Sequence, residues 1–373
     1  MENTVFEKIC GNFGFGCMRL PLREDKSVDF SEFSEMVDKF LEAGFNYFDT
    51  ARMYVNGQSE KALKECLCSR YPRDRFVLTD KLSSMYFEKN EDIRPLFEKQ
   101  LRDCGVDRFD IYLMHCQERK SFEKFKACRA YETALELKAE GKFDCFGISF
   151  HDTAEVLEKI LTEYPQIEVV QIQFNYLDYD DPSVQSEKCY EVCRKFGKPV
   201  IVMEPVKGGS LVGLPEEAAA VYNALGDMSQ ASYAIRFAAG FENVKMVLSG
   251  MGNMEMMTDN LGYMKDFRPL SREESDAVQK VKQILLKRNS ISCTACRYCT
   301  DGCPVGIDIP ELFACYNNKL ATHNWNADFY YDVHTQNSPA AKDCIKCGSC
   351  ENACPQHLPI RELLEKVSKE FAK

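Results

Sequence analysis

Two sets of residues in this chain have types and spacings that could do chemistry. The first is a run of thiols: Cys293, Cys296, Cys299 and Cys303 followed by Pro304, and again Cys344, Cys347, Cys350 and Cys354 followed by Pro355. Each run reads C-x2-C-x2-C-x3-C-P, and a tight loop with two-residue gaps can present three sulfurs on one side. Such convergence suits a [4Fe-4S] cubane, which needs four thiolates, the fourth arriving from elsewhere in the chain. Zinc is the competing reading, because Cys-x2-Cys pairs also build tetrahedral sites. It needs only two such pairs and leaves the third cysteine and the Cys-Pro step of each run unexplained. The second set is an acid, a phenol, an amine and an imidazole: Asp49, Tyr54, Lys81 and His115. Brought together, they could deliver a proton to an oxygen that gains charge. Taken singly, Asp49 could cap a helix, Tyr54 pack against a rim, Lys81 be a solvated loop charge and His115 a satisfied rim histidine.

The elements that would position the second set alternate along residues 1–270. Short apolar runs predict strands at Phe13–Met18, Tyr47–Thr50, Phe76–Thr79, Asp110–Met114, Cys145–Ser149, Val169–Phe174, Val200–Met203 and Met246–Ser249. Between them, three- and four-residue apolar spacing predicts helices at 31–43, 59–69, 90–103, 122–140, 153–163, 182–196, 230–239 and 254–264. Eight strand-helix units in about 250 residues predict an α/β fold of the (β/α)8 TIM-barrel type. A doubly wound sheet is the alternative, but Gly14-Phe15-Gly16 lacks the third glycine of a dinucleotide fingerprint. In such a barrel, catalytic groups project from the carboxyl ends of strands. Asp49 lies in the last two residues of the second predicted strand, from which the chain continues to Tyr54, Lys81 follows the third, and His115 follows the fourth.

Ser271 to Asn289 is charged and helix-prone, so 271–290 reads as a bridging helix and 291–373 as a second, small and mainly α-helical domain carrying the thiols. After each thiol run the chain repeats an apolar pattern, from Cys303 through Phe313 and from Cys354 through Leu364, with helices expected from Asp308 and Pro359. The forty residues between Cys303 and Cys344 look helical, with an aromatic patch at Trp325, Phe329, Tyr330 and Tyr331.

Composition narrows the function classes. A formal net charge of -11 argues against nucleic acid, which wants a basic stripe. No run approaches eighteen apolar residues, and MENTVFEKIC lacks a basic segment followed by an apolar one, so a cytoplasmic protein without a membrane span is expected. Eleven of the nineteen cysteines lie outside the two runs, which suits a reducing compartment.

The thiol runs resemble those of bacterial-type ferredoxins with two [4Fe-4S] clusters, and the domain around them resembles their α-helical variety. That resemblance implies crossed ligation: Cys293, Cys296, Cys299 and Cys354 on one cluster, Cys344, Cys347, Cys350 and Cys303 on the other. The first 265 or so residues resemble the aldo-keto reductase family, whose tetrad of Asp, Tyr, Lys and His comes in this order on these strands. The resemblance implies an oxidoreductase acting on a small carbonyl or alcohol, with Asp49, Tyr54, Lys81 and His115 as catalytic residues. Tyr54 would be the proton donor, its pKa lowered by Lys81, which Asp49 holds charged, while His115 orients the carbonyl oxygen.

The resemblance also implies a nicotinamide dinucleotide across the barrel mouth. Ser149 and Gln171 match the family's carboxamide contacts, with Phe150 where Asn is usual, and Met203 falls where a tyrosine commonly stacks on the ring. The family's Lys and Arg for a 2'-phosphate after strand eight are missing from Ser249 to Met256, so NADH is favoured over NADPH. Lys207-Gly208-Gly209-Ser210 and Gly250 to Asn253, with Asn260 beyond, form an opening for the pyrophosphate of NADH or the phosphate of FMN. Clusters pass one electron at a time and nicotinamide passes a hydride, so FMN is an alternative cofactor and a ferredoxin or flavodoxin an alternative redox partner. Two further readings are a ferredoxin-coupled flavin reductase and an electron-transfer module with a vestigial barrel. Residues 83–90, 116–122 and 210–229 are the expected substrate loops. His151 is given no role, and His323, His334 and His357 are expected at the surface or beside a cluster.

Overall fold

The computed structural model of the protein describes residues 5–287, 291–322 and 325–372. The last part of the predicted bridging helix, at 288–290, and His323 lie outside the described residues. Eight parallel strands close in chain order into a barrel: β1 Phe13–Gly16, β2 Tyr47–Asp49, β3 Val77–Leu82, β4 Phe109–Gln117, β5 Phe143–Phe150, β6 Val169–Gln173, β7 Val200–Met203 and β8 Val244–Ser249, with β8 returning to β1. Alternation along the strands sorts the side chains. Tyr47, Ile111, Leu113, Val169, Ile201 and Met246 form one buried cluster, with Val5 joining it. Their neighbours Phe48, Leu78, Tyr112 and Val170 pack instead with the surrounding helices. At Gly147 a Cβ would stand 2.5 Å from the Val169 side chain and 2.6 Å from its carbonyl oxygen, so β5 can pass β6 this closely only with glycine.

The helices form where the apolar spacing predicts. Phe30–Glu42 starts on Asp29, whose carboxylate accepts the N–H groups of Ser31 and Glu32 at 3.0 and 3.2 Å, and it buries Phe33, Met36, Val37 and Phe40. One predicted helix is two: Arg119–Ala127 and Ala130–Ala139 are separated at Arg129, which is left-handed with φ of 53°. The turn lets Phe122 and Phe125 on one side and Tyr131 and Ala134 on the other both reach the core, which a straight helix would not allow. Residues 210–229, expected as a substrate loop, contain a helix, Glu216–Asn223, that starts after Pro215 and stacks Tyr222 on Tyr233 at 4.1 Å.

The bridging helix, Arg272–Lys287, lays Ala277, Val278, Val281 and Ile284 on that added helix and its neighbours. Arg236 clamps it through two bonds to Glu274, at 2.6 and 2.8 Å. The thiol-bearing region is helical, built from Ile309–Thr322, Trp325–Thr335 and Ile360–Glu370 around Phe313, Cys315, Leu364 and Val367. It rests on the loop after β6: His334 Nε2 lies 2.9 Å from the Ser183 carbonyl, Asn318 donates to Asp181 at 3.3 Å, and the Tyr330 hydroxyl reaches Gln173, the last residue of β6, at 3.5 Å. The thiols therefore sit at the barrel end where β6 finishes. No helix among the described residues is long and apolar enough to cross a membrane.

Candidate active site and cluster ligands

Three of the four predicted chemical residues sit on consecutive strands. Asp49 closes β2, Lys81 lies within β3 because that strand runs on past Thr79, and His115 stands where the register of β4 against β5 shifts between Met114 and Gln117. Tyr54 opens a short turn, Tyr54–Gly57, in which Val55 and Asn56 are left-handed with φ of 50° and 52°. Lys81 is completely buried. Its Nζ donates to Asp49 Oδ1 at 2.5 Å and to the Thr50 carbonyl at 2.8 Å, and lies 4.7 Å from the centre of the Tyr54 ring. The other Asp49 oxygen accepts the Gln171 amide at 3.0 Å.

Burial pulls the Lys81 pKa down, but Asp49 and Tyr54 more than reverse it and hold the ammonium above its usual value. Burial pushes the Asp49 carboxyl up against the pull of Lys81 and Gln171. With an ammonium 2.5 Å away and both oxygens accepting, the pair is ionised. Tyr54 corrects the expectation of a lowered phenol. Burial pushes its pKa up to about 12, outweighing the downward pull of Lys81, so the hydroxyl keeps its proton at neutral pH. Burial, then the Lys81 charge, then His151 hold His115 well below its usual value, so its ring is neutral. Its Nδ1 stands 2.6 Å from the Ser83 hydroxyl, and the ring meets Tyr54 edge-on at 5.8 Å.

A cavity of about 340 Å³ opens beside this group. It reaches from Asp49, Tyr54 and Gln171 past Met203 to Met256, Asp259 and Asn260 in the helix Met254–Met264 that follows β8. Of the predicted cofactor contacts, Gln171, Met203, Gly208, Gly250, Gly252 and Asn260 line it, and Ser149 and Lys207 do not. The Ser149 hydroxyl accepts the Cys116 N–H at 2.7 Å and supports the kinked end of β4. Lys207 is buried and paired with Asp178, so its charge serves the packing beneath the second domain. Asn260 is also engaged, donating to Ser249 at 3.0 Å and accepting from Tyr263 at 2.5 Å. A larger cavity, about 740 Å³, lies between Leu177–Pro182, the end of the bridging helix and the second domain, and no member of the tetrad lines it.

Two residues of this site, Arg19 and Glu204, were missed from sequence, and two more, Ser83 in an expected substrate loop and His151, were given no role there. Arg19 lines the mouth cavity, its stem against the position a Cβ on Gly250 would take, at 3.5 Å. It comes from the loop after β1, and a search for cations confined to the loop after β8 overlooks that closure sets these two loops side by side. Ser83 lies two residues beyond Lys81 and so shares the strand end. Glu204 follows Met203 into the cavity. His151 is held neutral, burial and Lys81 taking its pKa to about 4, and its ring meets Phe329 of the second domain edge-on at 5.4 Å.

The eight motif cysteines form two groups. Cys293, Cys296, Cys299 and Cys354 line one small cavity with Ile309, Phe313 and Ile360; Cys303, Cys344, Cys347 and Cys350 line another with Ile307 and Leu364. The fourth thiol of each group therefore comes from the other run. Left-handed residues Ala295, Arg297, Lys346 and Gly348 curl the loops. Backbone N–H groups of Ala295, Ile307 and Lys346 point at Cys293, Cys303 and Cys344 Sγ, each at 3.4 Å. Apolar walls, four thiols and N–H donors to sulfur fit two [4Fe-4S] clusters.

Comparison with known proteins agrees with both halves. The family model described as the aldo/keto reductase family matches residues 12–283, and a 4Fe-4S dicluster domain model matches residues 292–359. An NADH-specific methylglyoxal reductase of Escherichia coli is 28% identical over 198 residues, covering 48% of this chain and 58% of that protein's length. An uncharacterised oxidoreductase of Bacillus subtilis is 23% identical over 309 residues, covering 74% of this chain and 94% of its own. Among solved structures, an aldo-keto reductase of Klebsiella pneumoniae in complex with NADPH superposes with a TM-score of 0.58 at 19% identity, over 73% of this chain and 90% of that one. The holo form of one from Bacillus halodurans gives 0.57 at 24%, over 73% and 92%.

Proposed function

Because the chain belongs to the aldo/keto reductase family and carries a 4Fe-4S dicluster domain behind its barrel, we propose that it is an iron-sulfur oxidoreductase whose barrel reduces a small carbonyl compound to an alcohol. The observation that carries this reading is Lys81, buried between the Asp49 carboxylate and the Tyr54 ring. A buried ion pair is poor value as packing, since apolar residues of the same size would serve as well or better, and its retention points to chemistry. Gln171, Met203, the Gly208 and Gly250 loops and Arg19 would hold a nicotinamide dinucleotide, with Arg19 meeting its diphosphate. When bound, that group supplies a hydride, and the clusters supply or accept single electrons.

The protein's own residues then manage the proton. The Tyr54 hydroxyl, protonated with a pKa of about 12, gives its proton to the carbonyl oxygen as that oxygen becomes an alkoxide, a far stronger base. Lys81 steadies the phenolate this leaves, and Asp49 keeps Lys81 in place. With the Ser83 hydroxyl donating to Nδ1, His115 would present Nε2–H to the carbonyl oxygen and orient it. The Escherichia coli relative's name, NADH-specific methylglyoxal reductase, supports NADH and a small dicarbonyl as first probes. Carbonyl turnover of the anaerobically prepared protein should fall by about 10²–10⁴-fold in Tyr54→Phe. Unchanged turnover would refute the assignment.

One observation favours a second reading, in which a flavin occupies the mouth. The second domain rests directly on the barrel rim, through Phe329 on His151 and Tyr330 at Gln173, a place suited to single-electron traffic that a flavin could convert to two-electron chemistry. Flavin bands above the broad cluster absorption in the anaerobically purified protein would favour it.

A further inference from the structure

The helix Trp325–Thr335 of the second domain uses two adjoining sides differently. One side seats it on the barrel, with Tyr330 reaching Gln173 and His334 the Ser183 carbonyl. Trp325 and Phe329, four residues apart and so on one side of the helix, stand edge-on to each other with ring centres 6.0 Å apart. Phe329 in turn meets the ring of His151, the residue after β5, at 5.4 Å. His151 is near enough to the tetrad for the Lys81 charge to help hold down its pKa. A row of rings therefore runs from solvent to the tetrad, and Trp325, at its outer end, is 49% exposed.

Apolar side chains also flank the tetrad from the loops after β2 and β3. Met53 directly precedes Tyr54, and Met85 and Tyr86 belong to the turn that follows Ser83, whose hydroxyl meets His115. All three are exposed, Met85 to 60%. Arg52, whose guanidinium lies 5.6 Å from the centre of the Tyr86 ring, brings no free charge, since Glu60 and Asp103 take it up at 2.7 and 2.9 Å. The imidazoles of His115 and His151 are neutral. In strand order His115, on β4, lies between these loops and the row of rings beyond β5, while the dinucleotide cavity opens toward β7, β8 and β1.

Apolar side chains left in water at a catalytic mouth cost free energy that a covering ligand recovers, and such patches mark binding grooves. Thioethers and ring edges suit the faces and edges of another ring. A charged substrate would gain nothing from these five side chains. We infer that Trp325 and Phe329 of the iron-sulfur domain form one wall of the substrate site, across from Met53, Met85 and Tyr86, and that the substrate is an uncharged carbonyl compound bearing an aromatic ring. The second domain is then part of the active site as well as the carrier of the clusters. The inference rests on the reading of the tetrad as a carbonyl-reducing site.

Propanal and 3-phenylpropanal, which differ only by the ring, test it with the anaerobic, cluster-loaded protein and NADH. The wild type should prefer 3-phenylpropanal by at least about tenfold in kcat/KM. Trp325→Ala should cut that preference about three- to tenfold, the worth of one aromatic contact, and Phe329→Leu, which keeps apolar bulk without the ring, should cut it too. Trp325 is half exposed, so its variant should keep the wild-type iron content and melting temperature. A purely structural role would slow both aldehydes alike and leave their ratio unchanged. A wild type without preference, or a ratio unchanged in either variant, overturns the inference. Turnover of methylglyoxal with neither aldehyde accepted also overturns it and leaves carbonyl reduction standing. Failure to reduce any of the three compounds overturns both.

Discussion

Replacing Lys81 by Met keeps most of the side chain's length and removes the charge that Asp49 faces. Lys81 is 0% exposed and Asp49 2%, and their atoms approach to 2.5 Å, so the carboxylate left behind has no water to turn to. Breaking a pair of this kind costs about 3–5 kcal/mol. Asp49→Leu strands the ammonium and should cost a similar amount. The double variant strands neither and should return to within about 1 kcal/mol of wild type or exceed it, as buried ion pairs exchanged for apolar groups do. The two single losses should therefore be far from additive, with a coupling of about 3 kcal/mol or more. Urea unfolding under anaerobic conditions measures all four proteins, with far-UV dichroism reporting mainly on the barrel and the single tryptophan, Trp325, on the second domain. In Lys81→Met, the folded state should hold the Asp49 proton to higher pH than the unfolded chain, so the loss should shrink as pH falls. Carbonyl turnover should be lost in all three variants, including the stable double one. Single losses below about 1 kcal/mol, or losses that simply add, would refute the reasoning.

Acid should destabilise the barrel before its carboxylates titrate. Burial lowers the pKa of His115, His151 and His334, so the unfolded state takes up protons from about pH 6.5 downward that the folded state refuses. Stability present above that pH is lost as pH falls toward the folded values, roughly 3 kcal/mol from His151 alone by pH 4; chemical unfolding with no slope between pH 6.5 and 5 would contradict this. Cys354→Ser should disturb the cluster of the first run, taking iron from about eight to about four per chain, while the electron paramagnetic signal of the cluster at Cys344, Cys347 and Cys350 persists. A change confined to that second signal would rule out crossed ligation. Arg19→Met should loosen NADH by about tenfold and leave iron content alone, as measured by titration and metal analysis; unchanged affinity would remove Arg19 from the diphosphate site.

Periodicity along the chain was enough to place all eight strands because each one carries an apolar run flanked by a distinct helical pattern. Where it fell short, the cause was three-dimensional. The break at Arg129 leaves the same three- and four-residue spacing on both sides, so one continuous helix reads equally well. The helix at Glu216–Asn223 is small and alanine-rich, and its apolar face becomes evident only when the bridging helix covers it. The tetrad was legible since each member sits at or near a strand end, and strand ends meet in a closed barrel. Lys207 was misread because sequence gives no sign that Asp178 reaches it. Arg19 was missed since β1 and β8 are neighbours in the barrel and lie at opposite ends of its sequence. Tyr54 was expected to be acidified by Lys81, and the desolvation of its half-buried ring at the cavity wall, invisible in sequence, outweighs that charge.

The central claim is that the barrel mouth performs hydride chemistry with Tyr54 as the proton donor. Its most direct test is a single turnover of anaerobically prepared, cluster-loaded protein with methylglyoxal and NADH carrying deuterium at both C4 positions. The account predicts an alcohol that has gained one deuterium on the former carbonyl carbon, and almost none formed by Tyr54→Phe. Alcohol formed at the wild-type rate without the label would contradict it, since the electrons would then have come by another route.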